Sequence, residues 1–318
     1  MKQEKGLVLK STGSWYQVLA QNGELVELRL KGKIRLKGLK STNPIAVGDY
    51  VLYDPETFTI ADIEPRKNYL IRRSNNLSKY SHIIAANLDL AIVVASFKEP
   101  RTSQGFIDRF LLTCDAYDVP AIVLLNKIDL LEEEELLDAA DFLGMYEEAG
   151  YPVHNISAKT YDEWEWFEEL LKDKTVLISG HSGVGKSTII NKLIPEVEIK
   201  TGDISEVNYK GKHTTTFAEM HVYAPNSYII DTPGIKDFGL VNMEKQEISH
   251  YFREMAPLIA DCKFSNCLHV EEPGCAVREA AEQGGIDPNR YFSYLNIIEG
   301  DEELNTPDYV WRKTVPGG

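Results

Sequence analysis

Thr175-Val176-Leu177-Ile178-Ser179-Gly180-His181-Ser182-Gly183-Val184-Gly185-Lys186-Ser187-Thr188 decides how the rest of the chain is read. The apolar run 176–178 predicts a buried strand, and Gly180-x4-Gly185-Lys186-Ser187 follows it with the spacing of a phosphate-binding loop. Glycines in such a loop let backbone N–H groups turn inward onto phosphate oxygens. Lys186 is expected at the β- and γ-phosphates, and the Ser187 hydroxyl at Mg²⁺. The apolar helix predicted next adds its positive N-terminal end. A plain glycine turn would need neither the strand before it nor the helix after it.

Upstream, Asn126-Lys127-Ile128-Asp129 closes another apolar run, 121–125. A carboxylate at Asp129 suits the guanine N1–H and exocyclic amine, a bidentate acceptor pattern that adenine cannot satisfy. Asn126 is expected at the purine edge, holding neighbouring loops, and Lys127 along the face of the base. Within Ser157-Ala158-Lys159, the Ala158 N–H is expected at guanine O6. Downstream, Asp231-Thr232-Pro233-Gly234 ends the run 227–230. Asp231 is expected to hold Mg²⁺ through water, and Gly234 to sense the γ-phosphate. The cluster Lys212-His213-Thr214-Thr215-Thr216 offers a switch threonine, for which Thr215 is the choice.

The order of these elements carries information of its own. An ordinary GTPase places its phosphate loop first and its base-reading elements last; here Asn126 and Ser157 precede Gly180. The chain therefore reads as a circularly permuted GTPase, a rearrangement that adjacent surface termini allow. Its switch after Asp231 then runs on into a C-terminal region. Ile235 stands where a water-orienting glutamine would fall, so unaided hydrolysis is expected to be slow, with His213 and His181 as candidate helpers.

Composition fits this picture. Of 318 residues 43% are apolar and 26% charged, which excludes a disordered chain. No run of ~20 apolar residues predicts a membrane span, and the polar start predicts no secretory leader, so the expected place is the cytoplasm. Net charge is −15, yet residues 1–40 hold nine basic and three acidic residues. Lys31, Lys33, Arg35, Lys37 and Lys40 crowd one stretch without an acid, a pattern that follows a phosphate backbone. The first seventy residues predict short strands and a small β-barrel of the OB type. Of Trp15, Tyr16 and Tyr50, at least two are expected inside it. Pro65 and the polar stretch 72–76 read as a linker. Buried strands then alternate with helices at 105–117, 132–149 and 164–171, the pattern of an α/β parallel sheet. After residue 240, helices are expected at 244–260 and 288–299.

Between those helices lies Cys262-x4-Cys267-x-His269-x5-Cys275. Three thiols and an imidazole, in a chain expected in the cytoplasm, favour a closed structural Zn²⁺ site over disulfides. Cys114 sits on an apolar helix face and reads as core.

The permuted order, the barrel and the Cys/His cluster together resemble one family, the bacterial GTPases that depend on the small ribosomal subunit (RsgA type, also called YjeQ or YloQ). The resemblance spans nearly the whole chain; Lys212 before His213 is a mild departure from an arginine. It implies an OB-fold barrel at 1–72, a permuted P-loop GTPase domain at 73–240 and a helical zinc domain with a tail at 241–318. It also implies GTP and GDP with Mg²⁺, one structural Zn²⁺, and contact with the 30S subunit and its 16S rRNA. Hydrolysis is implied to be slow alone and stimulated by that subunit, in late 30S maturation, by a monomer without a membrane partner. His213 is implied as catalytic beside Thr215 and Lys186. Two other readings stay open. One is an RNA-binding protein that keeps GTP as a structural ligand, against which intact Lys186, Ser187 and Asp231 speak. The other is a permuted GTPase of large-subunit assembly, which need not carry this barrel or cluster.

Overall fold

The computed structural model describes residues 3–30, 44–73, 81–160, 164–195, 218–232 and 243–300. The first five strands are β1 (Glu4–Ser11), β2 (Tyr16–Ala20), β3 (Leu25–Leu30), β4 (Tyr50–Asp54) and β5 (Thr59–Ile63). All their pairings are antiparallel except β3 with β5, and β4 returns to β1. The ring β1-β2-β3-β5-β4 is the five-stranded OB-type barrel expected. Strand alternation fills it: Tyr16, Val18 and Ala20 of β2 point inward with Val8, Leu28, Val51, Tyr53 and Ile60.

The same alternation corrects one expectation. Tyr16 is core, but Trp15 is 40% exposed and Tyr50 36% exposed. Trp15 precedes the inward Tyr16, and Tyr50 precedes the inward Val51, so parity turns both outward. Cations cover them instead: Arg29 lies 3.8 Å over the Trp15 ring and Lys5 4.4 Å over Tyr50. The basic residues Lys31, Lys33, Arg35, Lys37 and Lys40 lie outside the described residues.

The expected linker is also revised. Residues 69–73 form β6 (Tyr69–Arg73), paired antiparallel with β7 (Ser81–Ala86). Leu70 and Ile71 are buried, and their burial overrides the polar residues beside them.

The α/β unit follows: β8 (Leu90–Ser96), α1 (Gln104–Ala116), β9 (Ala121–Asn126), α2 (Glu133–Glu148), β10 (Val153–Asn155), α3 (Glu165–Leu171), β11 (Thr175–Ser179), α4 (Lys186–Leu193), β12 (Glu219–Ala224) and β13 (Ser227–Asp231). Strands β10-β9-β8-β11-β13 run parallel, and β12 joins antiparallel at the margin. Every residue of β8 and β9 is buried, as the continuous apolar runs require of strands covered on both faces. One core under α1 and α2 contains Phe106, Phe110, Leu111, Phe142, Tyr146 and the buried Cys114. The other, under α3 and α4, contains Trp164, Phe167, Ile189 and Ile190. Glu132 and Glu135 form a capping box at the start of α2.

Strand β1 belongs to both units. Lys10 pairs with Glu219 of β12, side chain to side chain at 3.0 Å, which joins barrel and α/β sheet into one sheet of 11 strands. Val8 points into the barrel core, whereas Leu7 and Leu9 point into the α/β core.

Among the described residues no strand follows β13. The single helix expected over 244–260 is broken into α5 (Lys245–Ile248) and 3₁₀ turns at 249–251 and 256–261. Pro257 opens the second turn, and its ring cannot continue an α-helix from the preceding segment. Two further helices are α6 (Ala276–Glu282) and α7 (Pro288–Glu299). Asp287 caps α7 by accepting the Asn289 N–H at 2.7 Å. This region docks on α1. Leu112 joins its core, Arg253 pairs with Asp115 at 2.7 Å, and the buried Arg290 bonds both Asp108 and Glu254. Burial opposes charge on Arg290, but the two carboxylates outweigh it and hold the guanidinium protonated.

Candidate nucleotide pocket and metal centre

The pocket lies at the carboxyl ends of β8, β9, β11 and β13, where an open α/β sheet presents its ligands. Gly180 and Gly185 of the phosphate loop have φ of 152° and 103°. A Cβ on Gly180 would sit 2.3 Å from the Val94 carbonyl oxygen, and one on Gly185 2.2 Å from Asn126 Nδ2, so only glycine fits either place. Lys186 folds back and donates to the Gly180 and His181 carbonyls, both at 2.8 Å, which keeps its amine inside the loop. Burial pushes the Lys186 pKa down while Asp231 pulls it up; burial also pushes Asp231 up, with Lys186 opposing. An anion with a divalent cation would relieve both: phosphate favours the charged lysine, and the cation favours the charged aspartate. Ser187 and Thr188 open α4 half-buried, and Ser182 is exposed at the rim.

Asn126 ends β9 and ties three loops together. Its Nδ2 donates to the Val184 carbonyl at 2.8 Å, and its Oδ1 accepts the Ala158 N–H at 2.9 Å. That bond differs from the expected role of Ala158, whose N–H is engaged by Asn126 here. Lys127, at φ 68°, donates to the Glu99 carbonyl at 2.5 Å. Ile128 and Asp129 form the 3₁₀ turn beyond it, with Asp129 exposed. Ser157 Oγ accepts the Thr160 N–H at 3.1 Å, and Lys159 is exposed beside it. The structure thus brings 126–129, 157–159, 180–188 and Asp231 to one rim. His213, Thr215 and Gly234, with Thr214, Thr216 and Ile235, lie outside the described residues.

Two contacts escaped the sequence reading. Pro100 sits over Gly183, where a Cβ would lie 3.2 Å from its Cδ. The His181 ring stacks on Phe106 of α1, centroids 3.9 Å apart. Ser96, at the end of β8, donates from its Oγ to the Pro100 carbonyl at 2.5 Å and so ties this proline to the sheet.

The Cys/His cluster is assembled as its spacing predicts. Donor atoms of Cys262, Cys267, His269 and Cys275 all lie within 4.8 Å of one another. His269 turns Nδ1 toward Cys275 Sγ (3.3 Å) and Cys262 Sγ (3.5 Å), and Nε2 toward Ser249 Oγ (3.2 Å). The loop carrying it is clamped: the Glu272 carboxylate accepts N–H groups of Leu268, Val270 and Glu271, and Tyr294 donates to the Leu268 carbonyl at 2.7 Å. Burial pushes the Cys267 thiol up to about 12 and raises Cys275 as well. Crowded thiols of this kind fit a soft cation that takes them as thiolates, and Cys₃His is a zinc-type donor set with no open position.

Comparison with known proteins agrees with this geometry. The profile described as RsgA GTPase matches residues 63–241, and that of the RsgA N-terminal domain matches 5–63. A protein of Bacteroides fragilis named Small ribosomal subunit biogenesis GTPase RsgA is 53% identical over 302 residues, covering 94% of this chain and 97% of its own. One of the same name from Flavobacterium johnsoniae is 51% identical over 304 residues, with 94% of each chain covered. The crystal structure of YjeQ from Thermotoga maritima matches with a TM-score of 0.75 at 32% identity, over 94% of this chain and 98% of that one. YloQ, described as a circularly permuted GTPase, matches with a TM-score of 0.70 at 27% identity, over 95% and 96%.

Proposed function

The chain belongs to the RsgA family of GTPases, and from that premise we propose that it hydrolyses GTP as a biogenesis factor of the small (30S) ribosomal subunit. One observation carries the reading: likeness to relatives of that name runs through barrel, permuted α/β unit and Cys/His region together, at 53% identity over 94% of the chain. The proposed division is a barrel at 1–72, the GTPase at 73–240 and a metal-holding region at 241–318, with the β6–β7 hairpin straddling the first seam.

In this reading the 180–188 loop cradles the phosphates, and Asp129 selects guanine. Lys186 supplies a buried cation to the β- and γ-phosphates, where low dielectric makes it worth most. Mg²⁺, held by Ser187, Thr215 and water on Asp231, would neutralise charge between the phosphates. Zn²⁺ held by Cys262, Cys267, His269 and Cys275 would fasten the C-terminal fold. His213 is the proposed catalytic group, and Ile235 leaves water orientation to help from outside, which gives the subunit its place as activator. The basic stretch 31–40 and the cation-covered Trp15 and Tyr50 support contact between the barrel and 16S rRNA.

The test is GTP turnover measured alone, with purified 30S subunits and with 50S subunits. Stimulation by 30S alone is expected. Indifference to both would favour a nucleotide kept as a structural ligand, and stimulation by 50S alone would move the protein to the other subunit.

A further inference from the structure

Lys186 holds the Gly180 and His181 carbonyls of the phosphate loop and Asn126 holds that of Val184, while two side chains of the loop anchor it to the cores on either side. Val184 packs down into the core under α3 and α4. His181 leaves on the opposite side and stacks on Phe106, at 3.9 Å between centroids with the planes 33° apart. Phe106 is itself buried in the core under α1 and α2. Between these two anchors lie Ser182 and Gly183, and Gly183 and Gly185 both have positive φ. A segment so rich in glycine has little stiffness of its own and takes its shape from what fixes its ends. Phe106 does not drift, because α1 is bolted to the C-terminal region through Asp108 and Arg290, and through Asp115 and Arg253.

We propose that Phe106 is a positioning residue for nucleotide binding: its stack with His181 fixes the first half of the phosphate loop, and His181 serves there as a flat ring rather than as a base. The proposal rests on the reading of 180–188 as the phosphate site. It gives α1 a part in the pocket although none of its residues belongs to a nucleotide motif.

GDP affinity of the full chain is the readout, with thermal unfolding of each variant alongside. His181→Ala and Phe106→Leu are each expected to weaken GDP about fivefold to tenfold, the scale of one aromatic pair. The double variant should be no weaker than the poorer single, because both remove the same stack. His181→Phe keeps a ring and should bind GDP within about twofold of the parent, the spread allowed to unrelated sites. The proposal is overturned if the single effects multiply in the double variant, if His181→Phe is as poor as His181→Ala, or if Phe106→Leu lowers Tm while leaving GDP affinity unchanged. A parent protein that binds no GDP would instead remove the phosphate-site reading beneath it.

Discussion

The nucleotide pocket and the Cys/His centre both hold polar groups convergent in a dry interior, by opposite means. Asn126, Lys186 and Asp231 are placed by the ends of strands and a helix, and strand register sets their spacing before any side chain bonds. Cores on both faces of the sheet carry the stability. The Cys/His centre has short helices, 3₁₀ turns and one modest core. Its ligand loop depends on side-chain clamps from Glu272, Tyr294 and Ser249. The difference teaches where damage should stop. A fault in the pocket should stay local, because the sheet persists without it, whereas a fault at the centre should spread through its whole region.

The largest effect expected is loss of metal. Cys267→Ala, or a strong chelator on the parent, should lower zinc below one per chain and open the region after residue 242 to protease. Structural zinc sites of this type contribute about 10–16 kcal/mol of folding free energy. Continued protease resistance in metal-free protein would erase the contrast. Next comes Arg290→Met, which leaves Asp108 and Glu254 buried without their cation; breaking such a pair costs about 3–5 kcal/mol. Urea unfolding should show an early transition of the C-terminal region while the sheet unfolds later. A single unshifted transition would place the docking of α1 outside the stability of that region.

Asn126→Ala sharpens the other half. It orphans the Val184 carbonyl and the Ala158 N–H, at about 1–3 kcal/mol for each group left buried and unpaired. GDP affinity should fall at least tenfold while urea unfolding of the C-terminal region stays as in the parent; equal damage to both would deny that pocket faults are local. The smallest effect concerns acid. Burial would raise Glu272, but backbone N–H donors, Leu268 first, outweigh it and hold the carboxyl at about 2. A depressed folded value means a contribution present above the unfolded value and lost as pH falls from about 4.5 toward 2. Near-UV circular dichroism of Glu272→Gln should show a shallower acid limb than the parent, and identical limbs would assign the clamp no electrostatic share.

What the amino acids made legible follows the same contrast. Strands β8, β9 and β11 stood out because continuous apolar runs have few other uses, and the pocket motifs follow from strand ends. The barrel was legible as a class, but expecting at least two of Trp15, Tyr16 and Tyr50 inside weighs residue type above strand parity, and of the three Tyr16 alone is core. The break within 244–260 has one visible sign, Pro257, which the apolar periodicity of that stretch outweighed. Phe106 joins no motif, and its partner lies 75 positions away, so only folding brings the two together.

Strand β1 leaves a practical mark. Its alternate side chains serve two owners, so the polypeptide has no clean place to be cut between barrel and sheet. An α/β half made without residues 4–11 would lack Leu7 and Leu9 from its floor and would expose the bare margin of β12. An uncovered strand margin beside a greasy slot is the recipe for self-association, and the two halves are therefore obliged to travel as one.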